Sequence, residues 1–108
     1  MNTAYFYLTD EGGKLAHKLA TAHPGDIYNK ENFKENLRAG FGKYDSLVCI
    51  MATGIVVRIL APLIVHKTSD PAVVVLDQKG KHAISLLSGH LGGANNLVTK
   101  YERPSNLR

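Results

Sequence analysis

The residues best suited to chemistry lie in a short glycine-rich segment near the end of the sequence. Its members are Ser88, Gly89, His90, Leu91, Gly92, Gly93, Ala94 and Asn95. Glycine reaches positive φ angles and lets a ligand approach the backbone closely, and a helix predicted to follow would direct unpaired N–H groups at the segment. His90 titrates near neutral pH and suits general acid or base catalysis. The pattern predicts an anion site, although a turn with a solvated or capping histidine is left open.

A second segment of the same design is Thr53-Gly54, which lies between a predicted strand and a predicted helix. The Thr53 hydroxyl either binds a substrate oxygen or caps the helix. Arg58 is the odd residue in the apolar helix that follows, because no carboxylate lies three or four positions away. It either binds a substrate carboxylate or pairs with an aspartate from elsewhere in the fold. The candidates for that pairing are Asp10, Asp70 and Asp77.

Other kinds of site find little support in the residue pattern. No two histidines share metal-ligand spacing with a carboxylate or thiol, so no protein-bound metal is expected. The glycine spacing fits neither the dinucleotide fingerprint nor the P-loop, and no nucleophile elbow is present. Lys67 and its neighbour His66 suit the carboxyl end of a helix electrostatically.

Apolar periodicity predicts the elements that must position these residues. Strands are expected at Tyr5–Leu8, Ile27–Tyr28, Ser46–Met51, Val73–Leu76 and Ala83–Leu87. Helices are expected from Glu11 to His23, around Phe33–Phe41, from Ile55 to Leu63 with a break at Pro62, and at Ala94–Tyr101. The Asp77-Gln78-Lys79-Gly80 turn joins the last two strands into an antiparallel hairpin.

This alternation predicts an α/β fold, a three-layer α/β/α sandwich with a mixed, mostly parallel sheet of about four or five strands. Ligands of such folds bind in the crevice at the carboxyl ends of the strands. Three loops are expected to line that crevice: Thr9–Gly12, Ala52–Gly54 and Ser88–Gly93.

Composition narrows the class of protein. The 108 residues suffice for a single domain over 1–108. One cysteine, Cys49, and an amino terminus without signal-peptide features predict a reducing, cytoplasmic compartment. The net charge is +4, but the lysines are scattered, so nucleic-acid binding is not expected. The apolar run Leu47–Val65 is interrupted by Arg58 and Pro62, which argues against a membrane span.

Three blocks resemble the amino-terminal region of the CbiG family of cobalamin-biosynthesis proteins. They are Gly54–Leu63, then Lys67 with Asp70–Val75, then Ile84–Asn95, in the family's order and approximate spacing. The resemblance covers over a third of the chain. Family members continue into a further strand, a helix and a separate domain, whereas residues 101–108 depart from that pattern. We therefore expect a fragment of a longer enzyme.

The resemblance implies cobalt-precorrin-5A hydrolase activity in the anaerobic cobalamin pathway. The family's reaction opens a δ-lactone on the macrocycle, releases acetaldehyde and yields cobalt-precorrin-5B. No cofactor is expected, because the substrate itself carries the cobalt. The alternative is a non-catalytic tetrapyrrole- or anion-binding module that needs a partner domain for turnover.

The resemblance and the loop chemistry together give the expected site. His90 is the expected catalytic residue. The expected substrate-binding residues are Thr53, Gly54, Arg58, Lys67, Ser88, Gly89, Gly92, Gly93 and Asn95.

Overall fold

A computed structural model of the chain describes residues 2–65 and 70–88. Five strands form one sheet: β1 (Thr3–Tyr7), β2 (Asp26–Tyr28), β3 (Ser46–Ile50), β4 (Ala72–Leu76) and β5 (Ala83–Ser88). Three α-helices connect them: α1 (Asp10–Ala22), α2 (Phe33–Phe41) and α3 (Thr53–Leu60), the last followed by a 3-10 turn at Ala61–Leu63. The predicted α/β fold is confirmed.

The strand order in the sheet is β2-β1-β3-β4-β5, with every pair parallel except β4 and β5. The apolar run that forms β3 is buried along its whole length, as a central strand covered on both faces requires. Pro62 falls in the 3-10 turn, where the α-helical hydrogen bonding has already ended.

The helices occupy both faces of the sheet, and right-handed crossovers explain which face each one takes. The chain moves in one direction across the sheet from β1 to β2, and α1 packs on that connection's face, against Tyr5, Val48 and Ile50. From β2 to β3 and on to β4 it moves the opposite way, so α2 and α3 share the other face. The three layers predicted from the sequence result.

The strand direction reverses at the β4–β5 turn, where Gly80 adopts the predicted positive φ of 72°. This antiparallel hairpin corrects the expectation that Ser88 lies with Thr9–Gly12 and Ala52–Gly54 at one crevice. Ser88 pairs with Ala72 at the amino end of β4, whereas Leu76 at the carboxyl end pairs with Ala83. The carboxyl end of β5 therefore lies at the end of the sheet opposite to Ala52–Gly54. Four residues of strand separate the two ends, which corresponds to about 13 Å along the strand direction.

The apolar run Leu47–Val65 divides among β3, α3 and the 3-10 turn. Within the described ranges, no helix is long and apolar enough to cross a bilayer.

Candidate functional site

The crevice of the fold lies between the carboxyl ends of β1 and β3, where the order of the strands reverses. A cavity of about 310 Å³ occupies this position. Its walls come from the β1–α1 loop, the β3–α3 loop and the β4–β5 turn, and include Leu8, Thr9, Ala52 and Gln78. The Thr9 hydroxyl donates to Gln78 Oε1 at 2.9 Å and accepts from the Gly12 N–H at 3.0 Å, so it fixes two of these loops relative to each other.

The amino terminus of α3 opens on this crevice without a side-chain cap. Ala52 is the N-cap residue, with φ −66° and ψ 138°, and it has no side-chain oxygen to offer. The N–H groups of Thr53 and Gly54 have no hydrogen-bond acceptor among the described residues. No acidic residue lies in the first turn of α3. Two unpaired donors at the positive end of the helix dipole favour an anion here.

Thr53 and Gly54 both lie in the first turn of α3 rather than in a separate turn before it. Because Ala52 holds the cap position, the capping role considered for the Thr53 hydroxyl is wrong. That hydroxyl makes no hydrogen bond to a described residue. Gly54 is exposed, and a Cβ built on it would meet nothing within 4 Å. The space in front of the α3 amino terminus is therefore open to a ligand.

The amino terminus of α1 at the same edge has the opposite character. Thr9 caps it, and Asp10 and Glu11 occupy its first turn. These carboxylates satisfy the helix dipole internally and repel a second anion. Of the two helix amino termini at the crevice, only that of α3 suits an anionic ligand.

Arg58 lines a second cavity, of about 450 Å³, between α2 and α3. Lys34 and Arg38 of α2 are its other charged members, and Leu8, Phe33, Ile55 and Ile59 supply its apolar surface. We call this cavity the cation groove. It adjoins the crevice, since Leu8 and Ile55 line both.

The proposed pairing of Arg58 with an aspartate is not observed among the described residues. Asp77 instead accepts hydrogen bonds from the backbone N–H groups of Lys79 and Lys81. Asp70 is buried and accepts one from the Val65 N–H at 3.0 Å. The Arg58 side chain is exposed at the groove.

The structure thus brings together Thr53, Gly54 and Arg58 on α3, and separates Ser88 from them. The other expected site residues lie outside the described ranges: Lys67, Gly89, His90, Gly92, Gly93 and Asn95. Sequence analysis did not include Lys34 and Arg38 of α2 among the expected site residues. Their spacing of four residues was the available signal, because it puts two cations on one helical face.

No nucleophile or metal cluster replaces these groups in the described part of the chain. Burial raises the pKa of the Cys49 thiol to about 12, which keeps it protonated and unreactive. The Tyr44 hydroxyl donates to Asp26 Oδ2 and pairs with the Tyr28 hydroxyl, and its pKa is raised by burial and by these hydrogen bonds. Across the described ranges, no group of three potential metal ligands occurs.

The fold and the crevice define a doubly wound α/β domain with an uncapped helix amino terminus at the carboxyl ends of its strands. A family model described as Cobalamin synthesis G N-terminal matches residues 35–105, well over half of the sequence. The chain belongs to this family, which confirms the resemblance seen in Gly54–Asn95. The match includes residues 101–105 of the segment that had been set apart.

Two curated relatives carry the name cobalt-precorrin-5A hydrolase. The protein from Salmonella typhimurium is 47% identical over 91% of this chain and 31% of its own length. The protein from Priestia megaterium is 54% identical over 54% of this chain and 16% of its own length. The chain therefore spans less than a third of the length of these relatives.

A solved structure of a cobalamin biosynthesis protein G homolog from Sulfolobus solfataricus has the same fold. It superimposes with a TM-score of 0.79 over 97% of this chain and 34% of that chain, at 24% sequence identity. At this identity the likeness concerns the architecture alone.

Proposed function

We propose that this chain carries the hydrolytic site of a cobalt-precorrin-5A hydrolase in cobalamin biosynthesis. The observation that carries the proposal is the 47% identity, over 91% of the chain, to a protein of that name. The reaction opens a δ-lactone by hydrolysis and releases acetaldehyde to give cobalt-precorrin-5B. The cobalt belongs to the substrate, so no resident cofactor is required.

The amino terminus of α3 suits the charge that this reaction develops. Attack of water on the lactone carbonyl places a negative charge on the carbonyl oxygen. The unpaired N–H groups of Thr53 and Gly54 would stabilise that oxyanion from fixed positions, and the open space at Gly54 admits it. As the tetrahedral intermediate collapses, the ring oxygen leaves and takes up a proton.

The base that takes the proton from water is assigned by sequence alone. An imidazole side chain suits this role, and His90 is the histidine of the glycine loop. We propose that the glycine loop, including Ser88, Gly92 and Asn95, brings His90 and polar groups to the substrate together with Lys67. Ser88 itself pairs with Ala72 at the amino end of β4, so the proposal concerns the residues that follow it.

A second candidate is a binding module without turnover of its own. The chain's coverage of 31% of the Salmonella typhimurium protein favours it, because the remaining part of such a protein could supply catalytic groups or a partner domain. Both candidates predict binding of the same substrate.

The decisive experiment incubates the chain with cobalt-precorrin-5A and measures acetaldehyde and binding together, with the full-length Salmonella typhimurium protein as the positive control. Acetaldehyde from the chain alone supports the enzyme, and binding without acetaldehyde supports the module. Absence of both overturns the proposal. For His90→Ala, we expect loss of acetaldehyde with binding retained, and unchanged turnover would remove His90 from the chemistry.

A further inference from the structure

The cation groove concentrates positive charge over an apolar surface. All three of its charged side chains are cations: Lys34, Arg38 and Arg58. Each belongs to an exposed residue. The floor between them is formed by aliphatic side chains and the ring of Phe33. Such a surface matches a ligand that has an apolar ring and carboxylates on its periphery.

These three cations have no carboxylate partner among the described residues. Lys34 and Arg38 are one helical turn apart on α2, an arrangement of like charges that weakens a helix slightly. Arg58 adds a third positive charge from α3 across the groove. An anion that lies between them relieves this repulsion, so the arrangement suits binding of an anionic ligand.

The charge is also arranged asymmetrically along the carboxyl edge of the sheet. Cations line the groove between α2 and α3, whereas Asp10, Glu11 and Asp77 lie at the α1 and β4 side of the crevice. Because Lys79 and Lys81 lie in the same turn as Asp77, a ligand with several carboxylates is attracted mainly at the groove end. It would therefore bind in one orientation, with the α3 amino terminus between the two ends.

From this arrangement we infer that the cation groove binds peripheral carboxylates of the tetrapyrrole substrate and orients the macrocycle on α3. Lys34 and Arg38 are thereby positioning residues, together with Arg58. The groove and the crevice share Leu8 and Ile55, so one macrocycle can span both. The inference rests on the proposed function for the identity of the substrate, but its binding chemistry is independent of turnover.

The test uses uroporphyrin, an octacarboxylate porphyrin, as the probe and follows its binding to the chain by fluorescence. For K34A/R38A we expect affinity to fall by about 25-fold, taking about fivefold for each exposed ion pair. The matched control is K14A/K18A, which removes two cations at the same spacing from exposed positions on α1. It should change affinity less than about twofold at the same ionic strength.

Two further measurements separate this site from general attraction to a positive protein. Uroporphyrin octamethyl ester, which has the ring without the charges, should bind the native chain and K34A/R38A with equal affinity. Inorganic tripolyphosphate should compete weakly with uroporphyrin, because it cannot use the apolar floor. If tripolyphosphate displaces uroporphyrin as well as uroporphyrin itself does, or if both double variants bind alike, the inference is overturned.

The outcome is distinguishable from failure of the proposed function. If K34A/R38A releases acetaldehyde with an unchanged KM, the groove does not bind the substrate, although the hydrolase assignment holds. If uroporphyrin binding depends on Lys34 and Arg38 while no acetaldehyde forms, the groove is supported and the chain alone is a binding module rather than the enzyme.

Discussion

Thr53 and Gly54 present backbone donors rather than side-chain chemistry. Their N–H groups remain unpaired because the preceding residue, Ala52, has no oxygen with which to cap them. A side chain that capped these N–H groups would occupy the position proposed for the substrate oxyanion. The absence of a capping side chain thus costs helix stability but leaves two donors available at the crevice.

Replacing Thr53 with proline tests the first donor. Proline is well tolerated at the first position of a helix, and the extended conformation of Ala52 is the one that precedes proline readily. We expect the free energy of unfolding of Thr53→Pro to stay within about 1 kcal/mol of the native value. If the N–H stabilises the oxyanion, kcat for acetaldehyde release should fall about 100- to 1,000-fold.

Thr53→Val is the matched control, since it removes the hydroxyl but keeps the N–H. We expect it to retain most activity. Equal loss in both variants would assign the effect to the hydroxyl, and full activity in Thr53→Pro would contradict a role for this donor.

At the scale of the element, the two helices that begin at the crevice differ in how they start. α1 has a threonine cap and two carboxylates in its first turn, whereas α3 has neither. Both helices follow a parallel strand, so the fold places their amino termini at the same edge. The residues at the caps then leave only the α3 amino terminus suited to an anion.

Capping α3 should separate stability from binding. In Ala52→Asp, the new carboxylate accepts from the helix N–H groups, and we expect thermal or denaturant unfolding to show about 1 kcal/mol of added stability. The same carboxylate opposes the substrate's charge, so uroporphyrin affinity should fall about two- to fivefold.

Ala52→Ser provides the uncharged comparison and should stabilise α3 with a smaller loss of affinity. An Ala52→Asp chain that binds uroporphyrin as tightly as the native chain would show that the α3 amino terminus is not part of the anion site.

At the scale of the whole molecule, stability is concentrated in the middle of the sheet. The residues of β3 and β4 are buried throughout, and β3 lies between two parallel partners. β2 and β5 lie at the two edges, and Ile84 of β5 is 48% exposed. The crevice is built on the ends of the central strands, so its framework should be the most rigid part of the fold.

Hydrogen exchange measures this gradient. We expect the amides of β3 to exchange only through global unfolding, and those of β2 to exchange faster through local opening. Exchange followed by mass spectrometry would check it. Protection of β2 equal to that of β3 would contradict the gradient.

The sequence predicted the class of fold and the elements of the described ranges, because each is encoded locally, whereas the helix expected at Ala94–Tyr101 lies outside those ranges. The apolar run of β3, the helical periodicity of α1 and the glycine at position 80 each act within a few residues. The blocks from Gly54 to Asn95 likewise sufficed to identify the family. For the candidate site, local patterns singled out individual residues, of which Thr53, Gly54 and Arg58 lie together on α3.

Tertiary structure decided which loops meet. The reversal of β5 places Ser88 at the end of the sheet opposite to Thr53. The crossover from β2 to β3 places α2 beside α3. Lys34 and Arg38 consequently face Arg58 across a shared groove, although some twenty positions separate them in the chain. Contacts between distant residues depend on strand direction and on the face that each helix covers. Local patterns carry that information only when the directions of all the strands are worked out together.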